Sequence, residues 1–364
     1  MKIVIDARMY GESGIGRYIR NLIFNLGKFD SKNQYFILLL KKDLHRFKYS
    51  ENFHEIAADF RWYGVGEQIK LLGLFKELKP DLVHFPHFNV PVFYKGQYVV
   101  TIHDLIHQHF SMQRSTTLNP LAYSFKRLSY KVVFRNAVNK ACKIIVPSNF
   151  VKDQLIAEWK INTEKIIVTP EAVDQTILNL SQKTLKQANI KKPYIFYIGN
   201  AHPHKNVDGL IENFLKLKEK YTDLRLVLSG QDHYFWQRIK SQFQHKDIIF
   251  TGQISDEELV SLYRSAECFV MPSLEEGFGI PILEAMACCC PVVASKAGAL
   301  PEVGGDAAIY FDPGDRGDMC EKIDMVLKLE ETRKTLIAKG LKRYKEFSWE
   351  KLTRQTLEVY EKCV

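Results

Sequence analysis

The stretch Pro272-Ser273-Leu274-Glu275-Glu276-Gly277-Phe278-Gly279-Ile280-Pro281-Ile282-Leu283-Glu284-Ala285-Met286-Ala287 brings together the residues best suited to chemistry. Proline is favoured in the first turn of a helix, so Pro281 places Glu276 in the entering loop and Glu284 on the helix itself. Gly277 and Gly279 let the backbone approach a ligand closely. Such a loop offers N–H groups to an anion and two carboxylates to the hydroxyls of a sugar. Taken singly, Glu276 reads as well as a charge that favours the helix dipole, and Glu284 as a salt-bridged surface carboxylate. Their combination after an apolar strand favours binding.

Three other loops carry unusual residues. Gly11-Glu12-Ser13-Gly14-Ile15-Gly16-Arg17-Tyr18 is a glycine-rich turn feeding a helix, whose free N–H groups can hold a phosphate. Its GxxGxG spacing, with Asp6 before it, disfavours a dinucleotide fold, and the same glycines also suit tight strand-to-helix packing. Gly199-Asn200-Ala201-His202-Pro203-His204-Lys205-Asn206 puts a lysine where it can reach a diphosphate. His103-Asp104 follows a third strand, with His84, Pro86, His87, His107 and His109 nearby. Histidine is the commonest metal ligand, but neither HExxH nor a cysteine partner accompanies these. His103 therefore reads as a polar contact to a sugar and the other histidines as structural.

The elements that must position these loops follow a regular pattern. Short Val- and Ile-rich runs alternate with amphipathic segments, as parallel strands joined by crossover helices do. Strands are expected at 2–6, 34–40, 81–85, 98–102, 143–146 and 165–168, then at 194–198, 224–229, 247–250, 267–270 and 291–294. The length of 364 residues and 46% hydrophobic content support two cores rather than one. The chain therefore reads as an α/β protein with two doubly wound Rossmann-like domains. These are residues 1–175 and 193–347, with a linker at 176–192 and a closing helix at 348–364 that begins on Ser348. Ligands of such sheets bind beyond the carboxyl ends of the strands, where all four loops lie.

The opening Met1-Lys2-Ile3-Val4-Ile5-Asp6 is too short an apolar run for a leader or anchor, and no later stretch approaches a transmembrane span, so a cytoplasmic chain is expected. The seven cysteines form no CxxC pair and read as buried thiols rather than as disulfides or zinc ligands.

Glu276-Gly-Phe-Gly-Ile-Pro-Ile-Leu-Glu284, two glutamates separated by seven residues, resembles the marker of glycosyltransferase family 4, a retaining group with the GT-B fold. The likeness extends through Gly14-Ile15-Gly16, Pro147-Ser148-Asn149, Gly199 to Lys205, Ser229-Gly230, Gly252 and Gly298 to Glu302. It implies two Rossmann-like domains facing a central cleft, with the first binding acceptor and the second a nucleotide-diphosphate sugar. It also implies a metal-independent hexosyltransferase that needs no cofactor. Carried over, Glu276 and the backbone of Gly277, Phe278 and Gly279 touch the donor hexose, and Glu284 binds the ribose. Lys205 holds the diphosphate, with Asn200, Gly14 and Gly16 close to it, and His103 faces the transferred sugar. Many members have arginine where Asn200 and His204 stand, which shifts the weight onto Lys205 and backbone amides. The tract Tyr197 to Asn206 is similar to bacterial mannosyltransferase-like members that build surface polysaccharide, and this favours GDP-mannose.

The net charge of +9 is uneven, because no Asp or Glu lies between Asp104 and Asp153 while Arg114, Lys126, Arg127, Lys131, Arg135, Lys140, Lys143 and Lys152 do. A helix over 119–141 would place Leu121, Phe125, Leu128 and Val132 on one face with basic residues beside it. Two readings stand: peripheral contact of the 114–143 region with an anionic membrane that carries a polyprenyl-linked or glycan acceptor, or burial of the stripe in the first domain. The charge also admits a nucleic-acid binder, against which no recognisable binding motif appears. A sugar-nucleotide epimerase, a glycogen-type synthase and a non-catalytic subunit on the same fold complete the alternatives.

Overall fold

The computed structural model describes residues 1–12, 14–46, 50–110, 120–183 and 190–364, with the backbone alone at 65 and 120–127. The chain divides into two compact units. One gathers Met1–Leu105, Thr116–Glu171 and Ser348–Val364, the other Ile106–Ser115 and Ala172–Phe347.

The first unit is built on seven parallel strands: β1 (Lys2–Asp6), β2 (Gln34–Leu39), β3 (Phe53–Ala57), β4 (Leu82–Phe85), β5 (Tyr98–Thr101), β6 (Lys143–Val146) and β7 (Ile166–Val168). Their spatial order is β3-β2-β1-β4-β5-β6-β7. Helices α1 (Gly14–Phe29), α2 (Val65–Leu78), α4 (Pro120–Lys140) and α5 (Asn149–Trp159) connect them, while the short α3 (Ile106–His109) counts with the second unit. Val4, Val83, Val100 and Ile144 from four strands are fully buried in one cluster. Burying such a side chain stabilises by about 1.5–3 kcal/mol, which makes these runs the strongest fold signal in the sequence.

The second unit repeats the plan with β8 (Tyr194–Ile198), β9 (Arg225–Ser229), β10 (Ile248–Gly252), β11 (Cys268–Met271), β12 (Val292–Ser295) and β13 (Ala308–Phe311), in the parallel order β10-β9-β8-β11-β12-β13. Helix α6 (Gln175–Leu180) precedes the sheet. Helices α7 (Val207–Lys220), α8 (Tyr234–Gln242), α9 (Asp256–Ser265), α10 (Ile280–Ala287), α11 (Leu300–Gly304), α12 (Asp318–Lys328) and α13 (Glu330–Arg343) complete it. Both sheets reverse their strand order once, at β1/β4 and at β8/β11. These are the switch points where doubly wound folds bind ligands.

The chain ends in α14 (Trp349–Glu361), which packs with the first unit. Ser348 caps it by accepting the Lys351 N–H at 3.4 Å, as its place in the sequence suggests. Trp349, Leu352, Thr353, Thr356, Val359 and Tyr360 form its buried face. The cysteine reading needs one correction: Cys142 and Cys363, 221 residues apart, are joined by a disulfide between the end of α4 and the end of α14. The other five cysteines are free thiols.

The basic helix divides between the two readings of its stripe. Phe134, Ala137 and Val138 of α4 are buried in the first core, whereas Leu128 and Val132 stand 61% and 50% exposed. Lys131 and Arg135 are exposed on the same side, at helical spacing from them. The side chains of Leu121, Phe125, Lys126 and Arg127, and Arg114 altogether, lie outside the described residues.

Candidate functional site

In the second unit the β8 loop and the β11 loop leave neighbouring strands at the switch point. The Lys205 Nζ donates to Glu276 Oε1 at 2.6 Å, and the Ser273 hydroxyl donates to the same oxygen at 2.6 Å. Glu276 is 7% exposed, so its charge is held by these two donors rather than by bulk water. The backbone of Glu276 is fixed from a third loop. Its carbonyl accepts the Ala299 N–H at 2.9 Å. Gly298, at φ 59°, lies so close that a Cβ there would meet the Glu276 N and O at 2.5 Å.

Beyond Glu276, Gly279 takes φ 104° and leads into α10 with Pro281 in its first turn. That conformation requires glycine. Glu284 on α10 is 2% exposed and accepts from the Tyr263 hydroxyl at 3.4 Å, so it is a buried carboxylate and not a surface one. The ring of Phe278 packs edge-on against Phe347. Asn200 shapes its own loop, with its Oδ1 accepting the His202 N–H at 3.2 Å and its carbonyl accepting from Tyr197 at 2.6 Å. The α3 residue His109 lies against the Glu275 carboxylate at 2.7 Å, a structural pairing.

In the first unit, His103 follows β5. Its Nδ1 faces Glu171 Oε1 and its Nε2 faces the Pro86 carbonyl, both at 3.0 Å. Burial pulls the pKa of this ring down. The hydrogen bond and charge of Glu171, with Asp104 and the Pro86 carbonyl, outweigh that and leave it raised. His84 is buried and bonded to Tyr360 Oη at 2.6 Å and Thr101 Oγ1 at 2.8 Å. Burial pushes its pKa down to about 3, which marks a neutral structural ring. Gly14 opens α1, where an added Cβ would meet nothing within 4 Å, while a Cβ at Gly16 would meet the Tyr10 carbonyl at 2.5 Å. Gly16 thus serves close packing of α1 on the turn before it. Asp6 is committed to the buried Arg8, which also holds Glu67.

The structure therefore brings Lys205 and Glu276 together and sets Glu284 one element further along. The contacts of Ser273 and Gly298 with Glu276, and of Glu171 with His103, are additions that the sequence reading lacked. Ser273 was legible, three residues before Glu276 in the same motif. Gly298 was legible only as part of the tract Gly298 to Glu302, without its role against Glu276, and Glu171 acts through space and left no local signal. Among the described residues, no group of three or more His, Cys, Asp or Glu side chains is arranged to hold a metal ion.

Two units, each built on a doubly wound Rossmann-like sheet, are the architecture of the GT-B glycosyltransferases. Comparison with known proteins agrees: residues 13–176 match Glycosyltransferase Family 4, and residues 181–343 match Glycosyl transferases group 1. The O-antigen chain mannosyltransferase B of Escherichia coli is 32% identical over 79% of this chain and 75% of its own. The O-antigen chain mannosyltransferase RfbU of Salmonella typhimurium is 28% identical over 70% of this chain and 67% of its own. The sucrose-phosphate synthase of Thermosynechococcus elongatus superposes with a TM-score of 0.77 at 18% identity, covering 99% of this chain and 98% of its own, a likeness of fold. The chain belongs to the GT-B glycosyltransferases and is a relative of bacterial enzymes of surface polysaccharide synthesis.

Proposed function

We propose that this protein is a retaining mannosyltransferase that takes mannose from GDP-mannose and adds it to a glycan or polyprenyl-linked acceptor during surface polysaccharide synthesis. The observation that carries the reading is the Lys205–Glu276 contact at 2.6 Å, at the switch point of the second sheet. The mannosyltransferase names of the two O-antigen relatives support the choice of sugar.

In this reading Lys205 sits against the donor diphosphate as a point charge, and the β8 loop, with Asn200, shapes the backbone around it. Gly14 and Gly16 lie near the same phosphates. Glu276 and the backbone of Gly277, Phe278 and Gly279 bind the donor hexose, Glu284 the ribose hydroxyls, and His103 the transferred sugar. Lysine and backbone dipoles offset the charge that grows on the departing nucleoside diphosphate, so the reaction needs no metal. The acceptor hydroxyl attacks on the face the diphosphate leaves and passes its proton to the leaving phosphate. Glu276 is then a positioning residue, in place of the covalent nucleophile of a double displacement.

The protein works on the cytoplasmic face of the membrane as a peripheral enzyme. Among the described residues no helix is long and apolar enough to cross a membrane. Leu128 and Val132 with Lys131 and Arg135 give α4 an exposed face fitted to anionic lipid, where each nearby basic residue contributes about 1 kcal/mol.

The test is transfer of labelled hexose from GDP-, UDP- and ADP-sugars to a polyprenyl-linked glycan in EDTA, with the product linkage read by NMR. Mannose transferred from GDP-mannose with its α-configuration kept supports the reading. Transfer with inversion, a strict metal requirement, or turnover of donor without any acceptor contradicts it.

A further inference from the structure

The loop that carries Lys205 also carries two histidines, and a third comes from the neighbouring loop. His202 and His204 lie with their ring centroids 5.9 Å apart and nearly parallel, and His233, after β9, stacks on His202 at 5.4 Å. Phe235 closes against His202 at 4.8 Å, and Phe110 against His204 at 5.7 Å. The Nδ1 atoms of His202 and His204 and the Nε2 of His233 are each buried without a hydrogen-bond partner in the protein. His204 itself is only 5% exposed. Leaving three buried polar nitrogens unpaired costs desolvation, and a ligand with several acceptor oxygens recovers it.

We propose that His202, His204 and His233 form a proton-coupled anion site, which binds the diphosphate of the nucleotide beside Lys205 and takes up protons from solvent as it does so. The inference rests on the donor-binding reading above and adds to it a set of residues and a pH dependence.

The physical case is one of charge. Burial, then the neighbouring His233, Lys205 and His107, hold the His202 pKa down at about 4. Burial, then Lys205, His202 and His107, hold that of His204 at about 3. The rings of His202 and His204 are therefore neutral in the free protein. The charged and titratable groups around them are Lys205 on their own loop, His107 on α3 and one another, while the carboxylate of Glu276 from the β11 loop is committed to Lys205. Among the described residues no carboxylate forms an ion pair with these rings, and Asp232, next to His233, is paired with Lys240 at 3.0 Å. A diphosphate would supply that counter-charge, raise their pKa values and accept the N–H formed on each proton gained. Donor and product would then be held more firmly as pH falls, in place of the fixed charge of an arginine.

Isothermal titration of GDP, UDP and inorganic pyrophosphate, run between pH 6 and 8 in buffers of different ionisation enthalpy, tests this with His202→Asn and His204→Asn alongside. Asparagine keeps hydrogen-bonding capacity but does not titrate. Thermal melts check that the variants fold. The phosphate's own ionisation is common to all samples, so the difference between proteins is the readout. The wild type should take up more protons on binding, with affinity rising by up to about tenfold per pH unit for each proton gained, and the variants should lose part of that slope. Nucleotide binding with the same slope and proton uptake in all three proteins overturns the inference and leaves the donor-binding reading intact. Failure of every nucleotide and of pyrophosphate to bind overturns both.

Discussion

His103 meets an acceptor at each ring nitrogen, Glu171 Oε1 at Nδ1 and the Pro86 carbonyl at Nε2, both at 3.0 Å. A neutral imidazole has one N–H, so it would turn a lone pair toward one of these oxygens. The imidazolium donates to both. Glu171 thus orients the ring and, against the pull of burial, favours its charged form.

Because the folded pKa of His103 is raised above its ordinary 6.5, the stability it contributes is full below that value and is lost as pH rises through the folded pKa. Glu171→Gln removes the carboxylate and leaves burial to pull the pKa down. The basic limb of the kcat profile should then move to lower pH, which a pH–rate series on both proteins measures.

Acid acts in the opposite sense on His84 and His204, whose folded pKa values lie near 3 because burial disfavours the charged ring. Between pH 6.5 and about 4 the unfolded chain binds protons that the folded one does not. Each of these groups should lower stability by up to about 1.4 kcal/mol per pH unit across that window. Urea unfolding at stepped pH checks this, and His84→Gln should flatten the slope.

Gly298→Ala puts a methyl group onto the Glu276 backbone and requires φ 59° of an alanine. Strain and displacement together should cost about 1–3 kcal/mol of stability. Donor KM should rise more than in Gly14→Ala, where a Cβ meets nothing within 4 Å. Steady-state kinetics and denaturation of the two variants separate the effects.

Reducing Cys142–Cys363, or replacing Cys363 by serine, should destabilise the first unit by about 2–4 kcal/mol through the long loop the bond closes. The expected sign is earlier release of α14 to protease in dithiothreitol. A cytosolic setting keeps thiols reduced, so alkylation of the two cysteines in freshly lysed cells also tests the proposed compartment.

Of the thirteen strands among the described residues, the sequence made eleven legible and hid β3 and β13. β3 and β13 both lie at sheet edges. The β3 residues Phe-His-Glu-Ile-Ala mix polar and apolar side chains because the strand is only partly covered, so it lacks the apolar run of a central strand. Glu276, Glu284, Lys205 and His103 drew attention because they lie in or just beyond loops that follow strands, and strands can be read. Their partners were not: Glu171 reaches His103 across 68 residues, and Cys363 reaches Cys142 across 221. Such pairs are set by the fold's closure and not by any local pattern.

The central claim is that a nucleotide sugar binds where Lys205 meets Glu276. Its most direct test is thermal stabilisation and slow nucleoside diphosphate release with a panel of GDP-, UDP- and ADP-sugars in EDTA, run on the wild type, Glu276→Ala and Lys205→Ala. One donor, expected to be GDP-mannose, should raise the melting temperature and be hydrolysed, with release falling about 100-fold or more in the variants. If no nucleotide sugar shifts the melting temperature, or if both variants respond as the wild type does, the Lys205–Glu276 contact is a structural ion pair and the account of the site is wrong.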